Sequence, residues 1–163
     1  MYTNQAIRAL KEWSPFGLCD GTLVAQNGKK SRTVGCAQGA LAFGFLDTVE
    51  GQAWLKQNAT VAVGCDGTRR AKTAKERNSY VNENLHEANT LKGEFADAVA
   101  AHYGMTREQL DYIPSFNDEI VCGNVRQTIA DWSGEFPQRF MQAISTLRHQ
   151  YEKTGREACR LAK

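Results

Sequence analysis

The stretch of residues 35–45 constrains the fold more than any other part of the chain. It is rich in alanine and glycine, and its larger side chains, among them Cys36, Leu41 and Phe43, make it apolar on most faces of a helix. A helix that is apolar all round leaves no side for water, so it has to be buried against other elements. We therefore predict that this helix lies in the core of a helical domain.

Amphipathic helices are predicted at both ends of the chain. Near the start, Thr3 is a candidate cap for a helix whose apolar residues reach Trp13 at helical spacing. Near the end, Pro137 suits the first turn of a last helix. The apolar stripe of that helix recurs at spacings of four, four, three and four and consists of Phe136, Phe140, Ile144, Leu147 and Tyr151.

Further helices are predicted in the middle of the chain. One covers residues 48–57 after a cap at Asp47, and another begins near Leu91 and ends at Gly104. Thr106 opens a short helical turn that Pro114 ends, and Val125 lies in a later helix. With these elements, the chain is predicted to be one compact helical domain over residues 1–163.

Two segments are candidates for β-structure. Residues 19–34 are predicted to form a small hairpin around Asn27 and Gly28, which is the strongest two-residue hairpin signal. Residues 60–63 are either a strand or an extended link, and residues 66–68 are predicted to turn. The predicted fold class is therefore mostly α with a small β-hairpin, an α+β domain.

Composition limits the class of protein. The chain has 163 residues and a hydrophobic fraction of 42%, which is long and apolar enough for a core of its own. No apolar run approaches the roughly 18 residues of a spanning helix, and the first residues do not resemble a secretion signal. Five cysteines, an odd number, do not suit a complete disulfide framework. We expect a cytoplasmic protein with reduced thiols and no membrane partner.

The cysteines are weak candidates for chemistry. A metal site could use Cys19, Cys36 and Cys65 with His86 or His102, but zinc ligands usually come in close pairs and none exists here. Cys36 sits where a helix amino terminus could lower its pKa and make it a nucleophile, yet no familiar signature surrounds it. We therefore predict no metal and no cofactor, and favour buried thiols.

The loop that residues 115–119 are predicted to form offers a second candidate site. Asn117 and Asp118 are the polar pair in it, and their short side chains suit a turn and a helix cap. A catalytic role, with Asp118 and Glu119 as acid and base, is the alternative, but adjacent carboxylates point apart. The capping role is favoured.

Charge is unevenly distributed although its sum is only +2. One basic cluster is formed by Lys29, Lys30 and Arg32, and the last by Arg148, Lys153, Arg156, Arg160 and Lys163. The central basic cluster, with Tyr80 near enough to stack on a base, comprises Arg69, Arg70, Lys72, Lys75 and Arg77. It has the charge density for phosphate contacts. The competing interpretation, which is favoured, makes residues 66–89 a solvated helix or a mobile loop.

Two short motifs carry a resemblance to a known family. The first is Cys-x-x-Gly-Ala-Leu at residues 36–41, and the second is the Asn-Asp pair at Asn117 that leads into the helix of Val125 and Ile129. Together they resemble an uncharacterised bacterial and bacteriophage domain family of unknown function. The resemblance implies a compact helical domain of microbial or phage origin and assigns no catalytic residue.

The sequence favours a non-enzymatic protein over an enzyme. Our leading hypothesis is a binding protein, an accessory factor of a phage or mobile element that engages a host macromolecule, with a host protein as the first expected partner. The sequence indicates no oligomeric state. Nucleic-acid binding through the basic clusters is one alternative. A small hydrolase or transferase that uses Cys36 or the Asn117–Asp118 loop is the other.

Overall fold

The computed structural model describes residues 3–15, 17–19, 23 and 35–155. Within them the chain forms eight α-helices and a two-stranded antiparallel sheet, so the predicted mostly helical α+β class is confirmed. In chain order the elements are α1 (Thr3–Trp13), α2 (Ala37–Leu46), α3 (Val49–Asn58), β1 (Thr60–Val63), β2 (Gly67–Arg70), α4 (Ala74–Val81), a π-helical turn (Asn82–His86), α5 (Gly93–Tyr103), α6 (Arg107–Cys122), α7 (Val125–Asp131), α8 (Gln138–Gln150) and a second π-helical turn (Tyr151–Gly155).

Helix α2 lies at the centre, as its apolar composition predicts. Nine of its ten residues are buried, and it contacts α1, α3, α5 and α6. Its glycines allow this close packing, because a Cβ on Gly39 would lie 1.9 Å from the Leu23 carbonyl oxygen. A Cβ on Gly44 would lie 2.5 Å from Ala9 Cβ. The surrounding helices therefore approach α2 at positions where it has no side chain.

The observed hairpin is formed by β1 and β2. Val61 pairs with Arg69 and Val63 with Gly67, and Gly64 turns the chain with a φ of 66°. Residues 60–63 are thus a strand, whereas the turn predicted at residues 66–68 lies earlier, at residues 64–66. Most of the hairpin predicted over residues 19–34 lies outside the described residues.

Several helix ends follow the predicted capping signals. Thr106 and Gln109 form a reciprocal capping box at the start of α6, and Gly104 ends α5 with a φ of 69°. The cap predicted at Asp47 was one residue off, because the Thr48 hydroxyl accepts the Gly51 N–H at 3.0 Å. The cap predicted at Thr3 is not seen, since Thr3 Oγ1 has no hydrogen-bond partner among the described residues.

Helix α6 continues past Pro114 to Cys122, so the predictions that Pro114 ends a turn and that residues 115–119 form a loop are wrong. Proline has no N–H to donate to the carbonyl four residues earlier, which is normally why it ends a helix. Here Gln38 Nε2 donates to that carbonyl, Leu110 O, at 2.9 Å, while Gln38 Oε1 accepts the Leu91 N–H at 2.9 Å. A buried side chain from α2 thus satisfies the group that Pro114 leaves free.

The last helix confirms the predicted stripe except at Tyr151, which is half-buried in the π-helical turn after α8. Phe136, Phe140, Ile144 and Leu147 are buried, and α8 packs against α1, α6 and α7. No helix among the described residues combines the length and the apolarity needed to cross a membrane.

Candidate functional site

The predicted central basic cluster lies on the hairpin and on α4. Arg69 and Arg70 are neighbours on β2 and so project to opposite faces of the ribbon. Lys75 lies on α4, and the side chains of Arg70, Lys72 and Lys75 are exposed. The cluster is therefore distributed over several faces, which reduces the charge density that it offers to a single ligand.

Glu76 neutralises part of this cluster. Arg69 forms a bidentate ion pair with its carboxylate, in which Nη1 donates to Oε2 at 3.2 Å and Nη2 donates to Oε1. The same carboxylate accepts the Lys72 N–H at 2.6 Å and completes a capping box with Thr73 at the start of α4. The hydrogen bond from Arg69, followed by that from Lys72, lowers the pKa of Glu76 to about 2. Arg69 thus stabilises the contact between β2 and the start of α4.

Tyr80 packs inward and does not stand ready to stack on a base. Its ring centroid lies 6.3 Å from that of Trp54 and 6.3 Å from that of Phe95. Burial, followed by the charge of Glu94, raises the pKa of its hydroxyl. Most of residues 66–89, predicted to be a solvated helix or a mobile loop, lies in β2, α4 and a π-helical turn.

Asn117 was predicted to lie in a turn and to cap a helix next to it in sequence, but it lies inside α6 and binds the start of α2 from within the core. It is fully buried in α6, and its Oδ1 accepts the Ala37 N–H, the first N–H of α2, at 3.2 Å. Its Nδ2 donates to the Cys19 carbonyl oxygen at 2.8 Å. Asn117 therefore joins α6, α2 and the segment after α1. Because both ends of its amide have buried backbone partners, it is a structural residue.

Cys36 does not have the environment of a nucleophile. It precedes α2 and is buried. Burial raises the pKa of its thiol to about 11, the charge of Asp118 adds to this effect, and hydrogen bonds from the Gly39 and Gln38 backbones only partly oppose it. Burial therefore opposes the thiolate stabilisation considered for this position.

The residues considered for a metal site are not brought together. Cys19 and Cys36 are buried, whereas Cys65 is exposed at the hairpin turn. Nowhere in residues 3–15, 17–19, 23 and 35–155 do three or more histidine, cysteine or acidic side chains form a group able to hold a metal ion.

Of the outer basic clusters, the structure describes Arg148, which is buried, and Lys153, which is exposed. Arg148 is only 2% exposed, and its Nη1 donates to the Leu18 carbonyl oxygen at 2.8 Å. Its Nη2 lies 3.7 Å from Glu152 Oε1. Arg148 therefore links α8 to the segment that follows α1 through this hydrogen bond. The cluster of Lys29, Lys30 and Arg32 and the terminal residues Arg156, Arg160 and Lys163 lie outside the described residues.

A groove lies between α1 and α8, and sequence reasoning missed it. The two helices run side by side in the same direction, since like ends are adjacent. At their carboxyl-terminal ends Gln150 Nε2 donates to the Pro15 carbonyl oxygen at 2.8 Å, and at their amino-terminal ends Arg139 lies beside Asn4 and Arg8. Between them is a groove of about 660 Å³. Its apolar residues are Ile7, Pro15, Ala143 and Leu147, and its polar ones include Lys11, Arg139, Gln138, Gln142, Thr146 and Gln150.

A second groove lies on the other side of α8, against α7. It also measures about 660 Å³ and shares Gln138 and Gln142 with the first groove. Its remaining lining is mostly apolar, with one cation, and consists of Arg126, Ile129, Ala130, Ser133, Phe136 and Met141. Helix α8 is therefore a ridge between two grooves. We call this surface, from α1 across α8 to α7, the α8 face.

The α8 face is positively charged. The described residues that line its two grooves include Lys11, Arg126 and Arg139 and no acidic residue. In the part of the chain that the structure describes, these three side chains form no ion pair, whereas Arg107 is paired with Asp97 and Asp111. The uncompensated charge here contrasts with the neutralised charge of Arg69.

A buried hydroxyl adjoins the first groove. Ser14 contributes to the groove wall, is fully buried, and its Oγ has no hydrogen-bond partner among the described residues. Unsatisfied buried polar groups are rare in proteins, and a ligand is one way to satisfy them.

One sequence signal points toward the α8 face. Arg139, Ala143, Thr146 and Gln150 recur at helical spacing beside the buried stripe of α8. This spacing marks a second face of the helix, but it does not show that α1 lies alongside.

Comparison of the chain with models of protein families, with curated proteins and with solved structures found no match.

Proposed function

We propose that the chain is a non-enzymatic binding protein that engages a partner macromolecule, and that the α8 face is its docking surface. The paired grooves beside α8 carry this proposal. Each groove combines an apolar floor with polar and cationic side chains, a combination found at protein–protein interfaces. In line with the family resemblance, we propose a phage or mobile-element accessory factor with a host protein as its partner.

The state of the catalytic candidates supports this choice over a hydrolase or transferase. Burial holds the pKa of the Cys36 thiol at about 11, far from that of an activated nucleophile. Both ends of the Asn117 amide are bound to backbone groups of other segments. Using either residue for chemistry would require the core around α2 to open.

Nucleic-acid binding through β2 and α4 is the second candidate. The exposed side chains of Arg70, Lys72 and Lys75 favour it. The ion pair of Arg69 and the inward packing of Tyr80 count against it, since phosphate contact and base stacking need both groups available. Binding of a single-stranded oligonucleotide at low salt, lost in an Arg70→Glu and Lys75→Glu variant, would support this candidate.

The test of the proposed function is affinity capture with matched baits. Gln142 is exposed and lines both grooves, so Gln142→Trp should obstruct the α8 face without disturbing the core. Gln57, exposed on α3, provides the same substitution elsewhere. We expect a host protein to be captured by the wild-type chain and by Gln57→Trp, and at least about tenfold less by Gln142→Trp.

Two results would contradict the proposal. One is capture that does not depend on Gln142. The other is robust turnover of a substrate by the purified chain that persists in Gln142→Trp, because that would place the function in a catalytic site elsewhere.

A further inference from the structure

We propose that the groove between α1 and α8 receives an acidic amphipathic helix of the partner protein. This inference rests on the proposed function and specifies the chemistry of its ligand. Apolar side chains of the bound helix would contact Ile7, Ala143 and Leu147, and its carboxylates would lie near Lys11 and Arg139.

The positive charge of the groove indicates that the bound helix is negatively charged. Among the described residues, the groove is lined by Lys11 and Arg139 and by no carboxylate. The adjoining surface contributes one charge of each sign, since Arg8 and Glu12 both lie there and pair at 3.9 Å. Opposite charges across an interface speed association and select the partner. An acidic ligand would neutralise the cations of this groove, whereas a basic ligand would meet repulsion.

The shape of the groove favours a helix. Its lining residues on α8 extend from Gln138 to Gln150, which at 1.5 Å per residue is roughly 18 Å, or about three helical turns. The groove is bounded by two parallel helices, and a third helix can pack its side-chain ridge into such a groove. Amphipathic helices bind grooves of this kind through apolar residues at spacings of three and four.

Two other occupants fit less well. A nucleic acid would gain little from the floor of Ile7, Ala143 and Leu147, which offers no aromatic face for stacking. The chain's own carboxyl-terminal residues carry Arg156, Arg160 and Lys163, which have the same charge sign as the groove.

The groove therefore offers apolar contacts and two cations to one ligand.

The experiment selects peptides from a random library displayed as helices of about 15 residues, long enough to span the groove. The full chain is the target. Binding of the enriched peptides is then measured by fluorescence anisotropy for the wild-type chain and for a variant with Lys11→Glu and Arg139→Glu. A second variant, with Arg70→Glu and Lys75→Glu, changes the net charge equally on β2 and α4 and serves as the control.

We expect the enriched peptides to be acidic with apolar residues at spacings of three and four. Their affinity should fall about tenfold or more in the Lys11 and Arg139 variant and stay within about twofold in the control. Peptides that are neutral or basic, or that bind both variants equally, would overturn the inference. The inference would also be overturned if a single-stranded oligonucleotide bound the wild-type chain more tightly than the peptides and failed to bind the Lys11→Glu and Arg139→Glu variant.

Failure of this inference is distinguishable from failure of the proposed function. If host-protein capture depends on Gln142 but peptide selection yields no acidic helix, the docking surface stands and the ligand class is wrong. If neither measurement depends on the α8 face, both proposals fail.

Discussion

Replacing Asn117 by alanine should destabilise the domain severely, although Asn117 lies on a helix where alanine is intrinsically preferred. The substitution leaves the Ala37 N–H and the Cys19 carbonyl without their amide partner. Each buried orphan costs about 1–3 kcal/mol, and the higher helix propensity of alanine returns about 0.5 kcal/mol. The free energy of unfolding should therefore fall by about 2–5 kcal/mol.

Urea unfolding followed by tryptophan fluorescence measures this change, since the chain contains three tryptophans. The matched control is Asn124→Ala. Asn124 is exposed and caps α7 by accepting the Gln127 N–H at 3.2 Å, so its loss should cost only about 1 kcal/mol. If the two variants lose the same stability, or if Asn117→Ala is as stable as the wild type, the structural role assigned to Asn117 is refuted.

Three further predictions concern other parts of the fold. Because the pKa of Glu76 is lowered from 4.5 to about 2, its stabilisation of α4 is complete above pH 4.5 and is lost as the pH falls through 2; the protection factors of the α4 amides against hydrogen exchange should fall across this window, and Glu76→Gln should abolish that dependence. At pH near 8, iodoacetamide should label the exposed Cys65 in the native chain while the buried Cys36, with a pKa of about 11, stays unlabelled in peptide maps, and equal labelling would contradict its burial. Gly39→Ala should cost about 2–3 kcal/mol in urea unfolding because its Cβ would lie 1.9 Å from a backbone carbonyl oxygen, whereas Gly134→Ala, with no atom within 4 Å of the added Cβ, should leave stability nearly unchanged.

Local signals in the sequence predict much of this fold. The apolar composition of residues 35–45 indicates the central position of α2, and the stripe through Phe140 and Ile144 indicates the buried face of α8. Thr106 and Gly104 mark helix ends through interactions among near neighbours. These features depend only on residues within one or two helical turns, which is why sequence spacing is sufficient to read them.

The wrong predictions arise from distant partners. Pro114 does not end α6 because Gln38, 72 residues away from Leu110 in sequence, binds the freed carbonyl. Asn117 is bonded to residues 80 and 98 positions away, so its neighbours in sequence suggest only a loop and a local cap. No spacing rule contains this information, because it depends on which helices become neighbours in the folded chain.

The candidate site, like the fold, could be predicted from the sequence only in part. The basic residues of the central cluster are visible in sequence, and the capping-box signature of Thr73 and Glu76 could have located α4 and the acid that pairs with Arg69. The α8 face could not be predicted in this way. Lys11 and Arg139 are far apart in the chain, and they share a groove only because α1 and α8 pack side by side.

Site-specific photo-crosslinking tests the docking surface most directly. A benzoylphenylalanine replaces Gln142 between the two grooves or, as a control, Gln57 on α3, and each variant is irradiated in host lysate. We expect a cross-linked partner protein from position 142, none from position 57, and loss of the cross-link when an acidic peptide selected for the groove is added. Equal cross-linking from both positions, or a partner captured only from position 57, would contradict the claim that the α8 face is where this protein binds.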